Sequence, residues 1–139
     1  MVSVSVPTQA GGRRSLCLAV PCDTGYLVLA RIFATAAGRA LGLDETGIED
    51  LKIGVTEVCS GAIAGAPGGL PDPLRLEAWR SDGHVRLQLR SVGAIDLGRL
   101  GEEEVSRLDL LLALFADVHL ESESSEGSVV GLSVSLPSG

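Results

Sequence analysis

The chain has 139 residues, of which 45% are apolar and only 3% aromatic, and its formal net charge is −7. This length suits one domain with an aliphatic core, and the acidity disfavours nucleic-acid binding, which needs a basic surface. No apolar run approaches the ~18 residues of a membrane span, and three cysteines without a CxxC pair favour a reduced cytoplasmic protein over a zinc site or a disulfide framework.

The N-terminal residues 1–14 are small, polar and Gly-containing, so we expect them to form a flexible arm. The remainder, 15–139, is expected to form a single domain. It begins with an apolar strand from Leu16 to Cys22, in which Pro21 indicates an edge strand or the end of a strand.

Two helices are predicted directly after this strand. Asp23 or Thr24 can cap the first helix, which runs to about Leu41 on a helical stripe of apolar residues. A capping box with Thr46 as N-cap and a glutamate at its third position opens the second helix. That helix reaches about Ala66, where a loop rich in Pro and Gly follows.

The second half of the chain contains two hairpins and one more helix. The first hairpin is centred on Ser81-Asp82-Gly83, a sequence typical of a tight turn. Three consecutive glutamates then open a Leu-rich helix, because acids favour the positive end of the helix dipole. The predicted segments are the strands 74–79 and 84–90, the acids 102–104, the helix 105–116, and the strands 118–122 and 128–136. The order β-α-α-β-β-α-β-β predicts an α+β, two-layer α/β sandwich with three helices on one face of a mostly antiparallel, mixed sheet.

The most specific pattern in the chain lies in the second predicted helix, which reads Leu51-Lys52-Ile53-Gly54-Val55-Thr56-Glu57-Val58-Cys59. It resembles the motif helix of the anti-sigma factor serine kinases, a branch of the GHKL, or histidine-kinase-like, ATPase superfamily. Further matches occur in the same order at the strand end Val20-Pro21, at Arg31 and at Ala116-Asp117-Val118. The resemblance extends over residues 15–136 and implies a GHKL ATPase-like fold.

In that family the motif helix carries a catalytic Glu and, four residues on, the Asn that holds magnesium. The resemblance makes Glu57 the candidate catalytic base and places Gly61 at the Asn position. These positions share one helix face, but glycine has no side chain with which to ligate a hard cation. The alternative interpretations are a solvated or capped helix carboxylate for Glu57 and, for Gly54, Gly61 and Gly65, close packing against the sheet.

The two other nucleotide motifs of the family are degenerate here as well. The adenine-binding Asp-x-Gly-x-Gly motif corresponds to residues 91–95, where Ser91 replaces the Asp and Gly93 is the glycine that is kept. The phosphate-binding helix start corresponds to residues 105–108, which contain no glycine. Gly61, Ser91 and Gly93 are therefore positional matches to cofactor-binding residues, and we expect weak or no ATP binding.

The leading hypothesis is a bacterial, cytoplasmic anti-sigma factor-like pseudokinase. It would sequester a sigma factor or an anti-anti-sigma factor by protein–protein contact, with no nucleic-acid, membrane or metal contact. Arg31 matches a family arginine that contacts these partners; an ordinary exposed arginine is the alternative. A mean hydropathy of +0.33 is compatible with a homodimer and equally with a well-buried core.

The rival hypothesis is an active ATP-dependent serine protein kinase that phosphorylates an anti-anti-sigma factor. Its cofactor would be Mg-ATP, and a relocated magnesium ligand, Asp96 or Glu77, would have to replace the missing Asn. A third class, the anti-anti-sigma protein itself, is disfavoured because two predicted helices follow one another directly.

Overall fold

The computed structural model describes residues 3–5, 14–98, 105–123 and 127–137. Its elements are β1 (Ser3–Ser5), β2 (Ser15–Val20), α1 (Leu27–Ala40), α2 (Glu45–Ala64), β3 (Leu74–Ser81), β4 (His84–Ser91), α3 (Arg107–Leu114), β5 (Asp117–Glu123) and β6 (Gly127–Ser135). The predicted order is confirmed, and β1 is an additional strand within the predicted arm. The rest of that arm, up to residue 13, lies outside the described residues.

The strands form one open sheet in the order β1-β2-β3-β4-β6-β5. The prediction of a mixed sheet is wrong, because every pairing among the described strands is antiparallel. The helical hairpin α1–α2 returns the chain to the end of the sheet at which β2 finished, so β3 runs back along β2. The β5 strand runs in the direction of β4, but β6 lies between them, so no parallel neighbours meet.

Alternate strand residues form the floor of the core beneath the helices. Helix α1 contacts β2, α2 contacts β4 and β6, and α3 contacts β5. The residues of β3 and β4 that face these helices are almost fully buried: Leu74, Leu76, Ala78, Val85, Leu87 and Leu89. The opposite side of the sheet, which we call the outer face, carries the residues between them, including the exposed Arg75 and Arg90. Within the described part of the chain, no helix has both the length and the apolar content needed to cross a bilayer.

The start of α2 differs from the predicted capping box. The N-cap is Asp44, whose carboxylate accepts a hydrogen bond from the backbone N–H of Gly47 at 2.9 Å. The helix therefore begins at Glu45, ahead of the predicted N-cap Thr46. Glu49 was expected to close the capping box, but its carboxylate lies 3.3 Å from Lys52 Nζ. The side chain of Asp44, and not that of Thr46, therefore caps the first turn of the helix.

The predicted hairpin turn between β3 and β4 is confirmed in its geometry. Asp82 and Gly83 have φ angles of 52° and 75°, and two successive left-handed residues are what a type I′ turn requires. Helix α3 is shorter than the predicted helix 105–116, and the acids 102–104 expected to open it lie outside the described residues.

Candidate functional site

Glu57 lies midway along α2 and faces the first residue of α3, Arg107. The carboxylate Oε2 lies 3.7 Å from Arg107 Nε, and the two side chains are only 20% and 16% exposed. Arg107 Nε is buried and has no hydrogen-bond partner among the described residues, so this carboxylate is its electrostatic partner. The candidate catalytic base is thus held in a largely buried ion pair.

Beyond Glu57, α2 is covered by the backbone that follows β4. We call residues 94–98 the covering loop. The N–H of Asp96 donates to the carbonyl of Gly61 at 2.8 Å. A Cβ atom on Gly61 would lie 2.6 Å from the carbonyl oxygen of Asp96, and a Cβ atom on Gly65 would collide with the carbonyl oxygen of Ala94. An asparagine at position 61 would therefore displace the loop before it could bind magnesium.

Close packing accounts for these glycines, although the packing partner is not always the sheet. Gly61 and Gly65 contact the covering loop, whereas a Cβ atom on Gly54 would collide with the ring of Phe115 and lie 2.8 Å from Leu132 in β6. Real Cβ atoms do not come this close to their neighbours, so any larger residue at these positions would force the neighbouring atoms to shift.

The start of α3 is also closed by the covering loop. The N–H of Arg107 donates to the carbonyl of Gly98 at 3.0 Å, and the N–H of Leu108 donates to that of Leu97 at 3.1 Å. The next N–H, on Asp109, donates to Ser106 Oγ in a capping box, and the returning backbone hydrogen bond from Ser106 lowers the pKa of the Asp109 carboxyl. The first-turn N–H groups, which bind phosphates in many proteins, are satisfied within the chain.

Ser91 and Gly93 lie near the C-terminal end of α2, but their polar groups are used locally. Ser91 is buried, and its Oγ accepts a hydrogen bond from the N–H of Gly93 at 3.2 Å.

The proposed replacement magnesium ligands do not join Glu57. The carboxylate of Asp96 accepts the N–H of Gly98 at 2.8 Å, and Glu77 lies on the outer face, across the sheet from the helices.

Arg31 and Glu57 line the same surface groove, of about 330 Å³, between α1 and α2. Its lining residues, which define the α1–α2 groove, are Arg31, Glu49, Lys52, Ile53, Thr56 and Glu57. Glu49 pairs with Lys52, and Glu57 pairs with Arg107. Arg31 is therefore the one cation of this groove that has no ion pair among the described residues.

Three exposed apolar side chains lie on the same two helices as the groove that contains this arginine. Val28 and Ile32 of α1 are 53% and 59% exposed, and Ile53 of α2 is 43% exposed. Val28 and Ile32 are four residues apart and share one helix face, with Arg31 beside them. The combination of exposed aliphatic groups and an unpaired cation is typical of a protein-binding surface.

The cysteines in the helix layer are packing residues. Cys59 is 1% exposed, and burial, with a smaller effect of the Cys22 thiol, raises its pKa to about 12. Cys22 Sγ donates to the carbonyl of Ala62 at 3.8 Å, and burial raises its pKa as well. Across the described ranges, no three His, Cys, Asp or Glu side chains group as a metal site. The absence of a metal stays a prediction.

Arg107 and the covering loop were not identified from the sequence. One local signal pointed to Arg107: a cation in the first turn of a helix is unfavourable near the positive end of the dipole, so it calls for a nearby carboxylate. The contact between the covering loop and α2 leaves no comparable signal, because it joins segments about thirty residues apart. No protein-family model and no curated protein matches this chain. The resemblance to the anti-sigma factor serine kinases therefore rests on the sequence motifs.

We expect the Glu57–Arg107 pair to contribute a measurable coupling energy. Glu57→Gln leaves the Arg107 guanidinium largely buried without a counter-charge and should lower the free energy of unfolding by about 1–2 kcal/mol. Combined with Arg107→Gln, the loss should be smaller than the sum of the single losses, with a coupling of about 1 kcal/mol. The measurement is a double-mutant cycle by urea unfolding.

The exposed pair Glu49–Lys52 is the matched control for this cycle, since it lies on the same helix with side chains 62% and 34% exposed. Its coupling should stay below about 0.5 kcal/mol. Equal coupling energies in both pairs would contradict the prediction that burial makes the Glu57–Arg107 pair the stronger one.

Proposed function

We propose that this chain is an anti-sigma factor-like regulator that binds its partner without using ATP. The covering loop is the observation that carries this proposal. It occupies the face of α2 on which family members hold magnesium, and its carbonyl groups accept hydrogen bonds from the N–H groups at the start of α3. A bound nucleotide would need the same space and the same donors.

The architecture is compatible with a GHKL ATPase-like scaffold from which the nucleotide site has been lost. Three helices cover one face of an antiparallel sheet, and the Glu-bearing α2 lies beside the start of α3. In this proposal Glu57 no longer acts as a base, because Arg107 neutralises its charge. The protein would then be a pseudokinase, and its retained surface would be the functional part.

The α1–α2 groove is the proposed contact with a sigma factor or an anti-anti-sigma factor. Arg31 would pair with a carboxylate of the partner, while Val28, Ile32 and Ile53 would be covered by its apolar side chains. Arginine is enriched among the residues that dominate interface energies. Both partner classes belong to the bacterial cytoplasm, which is the proposed location. A homodimer is compatible with this arrangement if it leaves the groove open.

The test is pairwise binding of the purified chain to each sigma factor and each anti-anti-sigma factor encoded in the same genome. We expect one of them to bind, and Arg31→Glu to weaken that complex by roughly tenfold or more. Arg39→Glu is the matched control, since Arg39 is exposed on the same helix but is not part of the groove. Binding that is lost equally in both variants, or no binding to any of these proteins, would contradict the proposal.

Calorimetric titration with Mg-ATP separates the regulator from the kinase. We expect no saturable heat at about millimolar nucleotide, the range in which binding energies become small. Micromolar affinity, together with phosphate transfer to a serine of an anti-anti-sigma factor, would favour the active kinase instead.

A further inference from the structure

Two arginines lie directly opposite each other on the outer face of the sheet. Arg75 of β3 and Arg90 of β4 are paired in the strand register, and both are exposed. Opposed residues of an antiparallel pair have Cβ atoms about 4.5–5.5 Å apart. Two flexible guanidinium groups at this spacing can converge on one anion.

Neither arginine forms an ion pair within the part of the chain that the structure describes. Other arginines are engaged: Arg39 pairs with Glu45, and Arg86 donates to Ser133 Oγ at 2.9 Å. Like charges placed directly opposite each other destabilise a sheet. In a chain of net charge −7, an opposed Arg–Arg couple without an ion pair is thus a local concentration of positive charge that a bound anion could offset.

Arg75 and Arg90 together line two surface grooves. One groove, of about 270 Å³, is also lined by Cys17, Glu77 and Gln88, and the other, of about 350 Å³, by Asp72, Pro73, Ser91 and Val92. Glu77 accepts a hydrogen bond from Cys17 Sγ at 4.0 Å. Asp72 forms no ion pair with either arginine among the described residues, and the carboxylates of Asp72 and Glu77 both reduce the local positive potential.

We propose that Arg75 and Arg90 form a binding site for a small organic phosphate monoester. Two positive charges match a phosphate dianion better than a carboxylate monoanion, and the guanidinium fork fits phosphate oxygens with two parallel hydrogen bonds. The organic part of the ligand lies in the groove beside Gln88, whose amide supplies both a donor and an acceptor. This site is on the opposite side of the sheet from α2 and does not depend on the proposed regulatory function.

The test is a titration of the isotope-labelled 139-residue chain with glycerol 3-phosphate at constant ionic strength, followed by amide chemical shifts. We expect saturating shifts in β3 and β4, and affinities weakened by roughly tenfold in Arg75→Gln and in Arg90→Gln. Arg80→Gln is the matched control, because Arg80 lies in β3 but points to the other side of the sheet. It removes the same charge and should leave the affinity within about twofold.

Each outcome of this titration decides the proposal. Shifts that never saturate, or equal losses in all three variants, would overturn it, because they indicate non-specific screening. A further pair of titrations compares benzoate with phenyl phosphate, which share a phenyl ring but carry a carboxylate monoanion and a phosphate dianion. Equal affinities would overturn the proposal that the site selects a dianion. Inorganic phosphate binding as tightly as glycerol 3-phosphate would overturn the assignment to an organic monoester, because the groove beside Gln88 would then contribute nothing to affinity. Any weak Mg-ATP signal that disappears in Arg75→Gln belongs to this site, whereas a signal that persists belongs to α2.

Discussion

Gly65→Ala, at the C-cap of α2, is expected to lower the free energy of unfolding by about 2–3 kcal/mol. The new Cβ atom would overlap the carbonyl oxygen of Ala94 in the covering loop. Because this oxygen belongs to the backbone, it cannot rotate away as a side chain could, and the whole loop has to move. Urea unfolding followed by circular dichroism measures the effect.

Ser60→Ala is the matched control, since Ser60 lies on the helix that Gly65 caps and already carries a Cβ atom. Its effect should stay within about 0.5 kcal/mol. A Gly65→Ala protein as stable as the parent chain would mean that the covering loop does not lie against α2. The main support for ATP-independent function would then be removed.

Leu111→Ala should produce a loss of similar or greater size, about 2–5 kcal/mol. Leu111 is fully buried and is the only buried residue of α3 within the described chain. This helix has eight residues, too few to persist without tertiary packing. Truncation therefore leaves a cavity and weakens the docking of the helix that positions Arg107. Urea unfolding gives the loss, and amide hydrogen exchange in α3 reports the docking.

Leu112→Ala changes the same residue type at the next position, which is 57% exposed. We expect a change below about 0.5 kcal/mol, since surface truncations remove little buried area. Similar losses in both leucine variants would be incompatible with α3 packing through its Leu111 face.

The covering loop, the start of α3 and the Glu57–Arg107 pair form one connected unit. Opening the loop to admit a nucleotide would break the hydrogen bonds donated by Asp96, Arg107 and Leu108, each with a net value of about 0.5–1.5 kcal/mol. It would also expose Leu97, which is 8% exposed in the closed arrangement. A ligand would have to offset this combined cost, so the closed arrangement supports a protein that acts through its surface.

The sequence proposed candidate site residues, but it did not predict the environment in which the structure places them. The motif helix directed attention to Glu57 and Gly61, and the second family motif to Ser91 and Gly93; the structure places the first two on α2 and the others at and just after the end of β4. Their environment depends on Arg107 and on the covering loop, which meet α2 only after the sheet has assembled. The ion pair of Glu57 with Arg107 could therefore not be predicted from any pattern of neighbouring residues.

The sequence by itself determined the types and the order of the main elements, because helical periodicity, strand alternation and the Asp82-Gly83 turn act over a few neighbouring residues. Only the tertiary structure decided that every strand pairing is antiparallel, that β1 joins the sheet, and that α2 lies under the covering loop. These features join segments far apart in the chain. They follow from strand order and from how closely two backbones can approach, and a single glycine permits such an approach without revealing what will occupy the space.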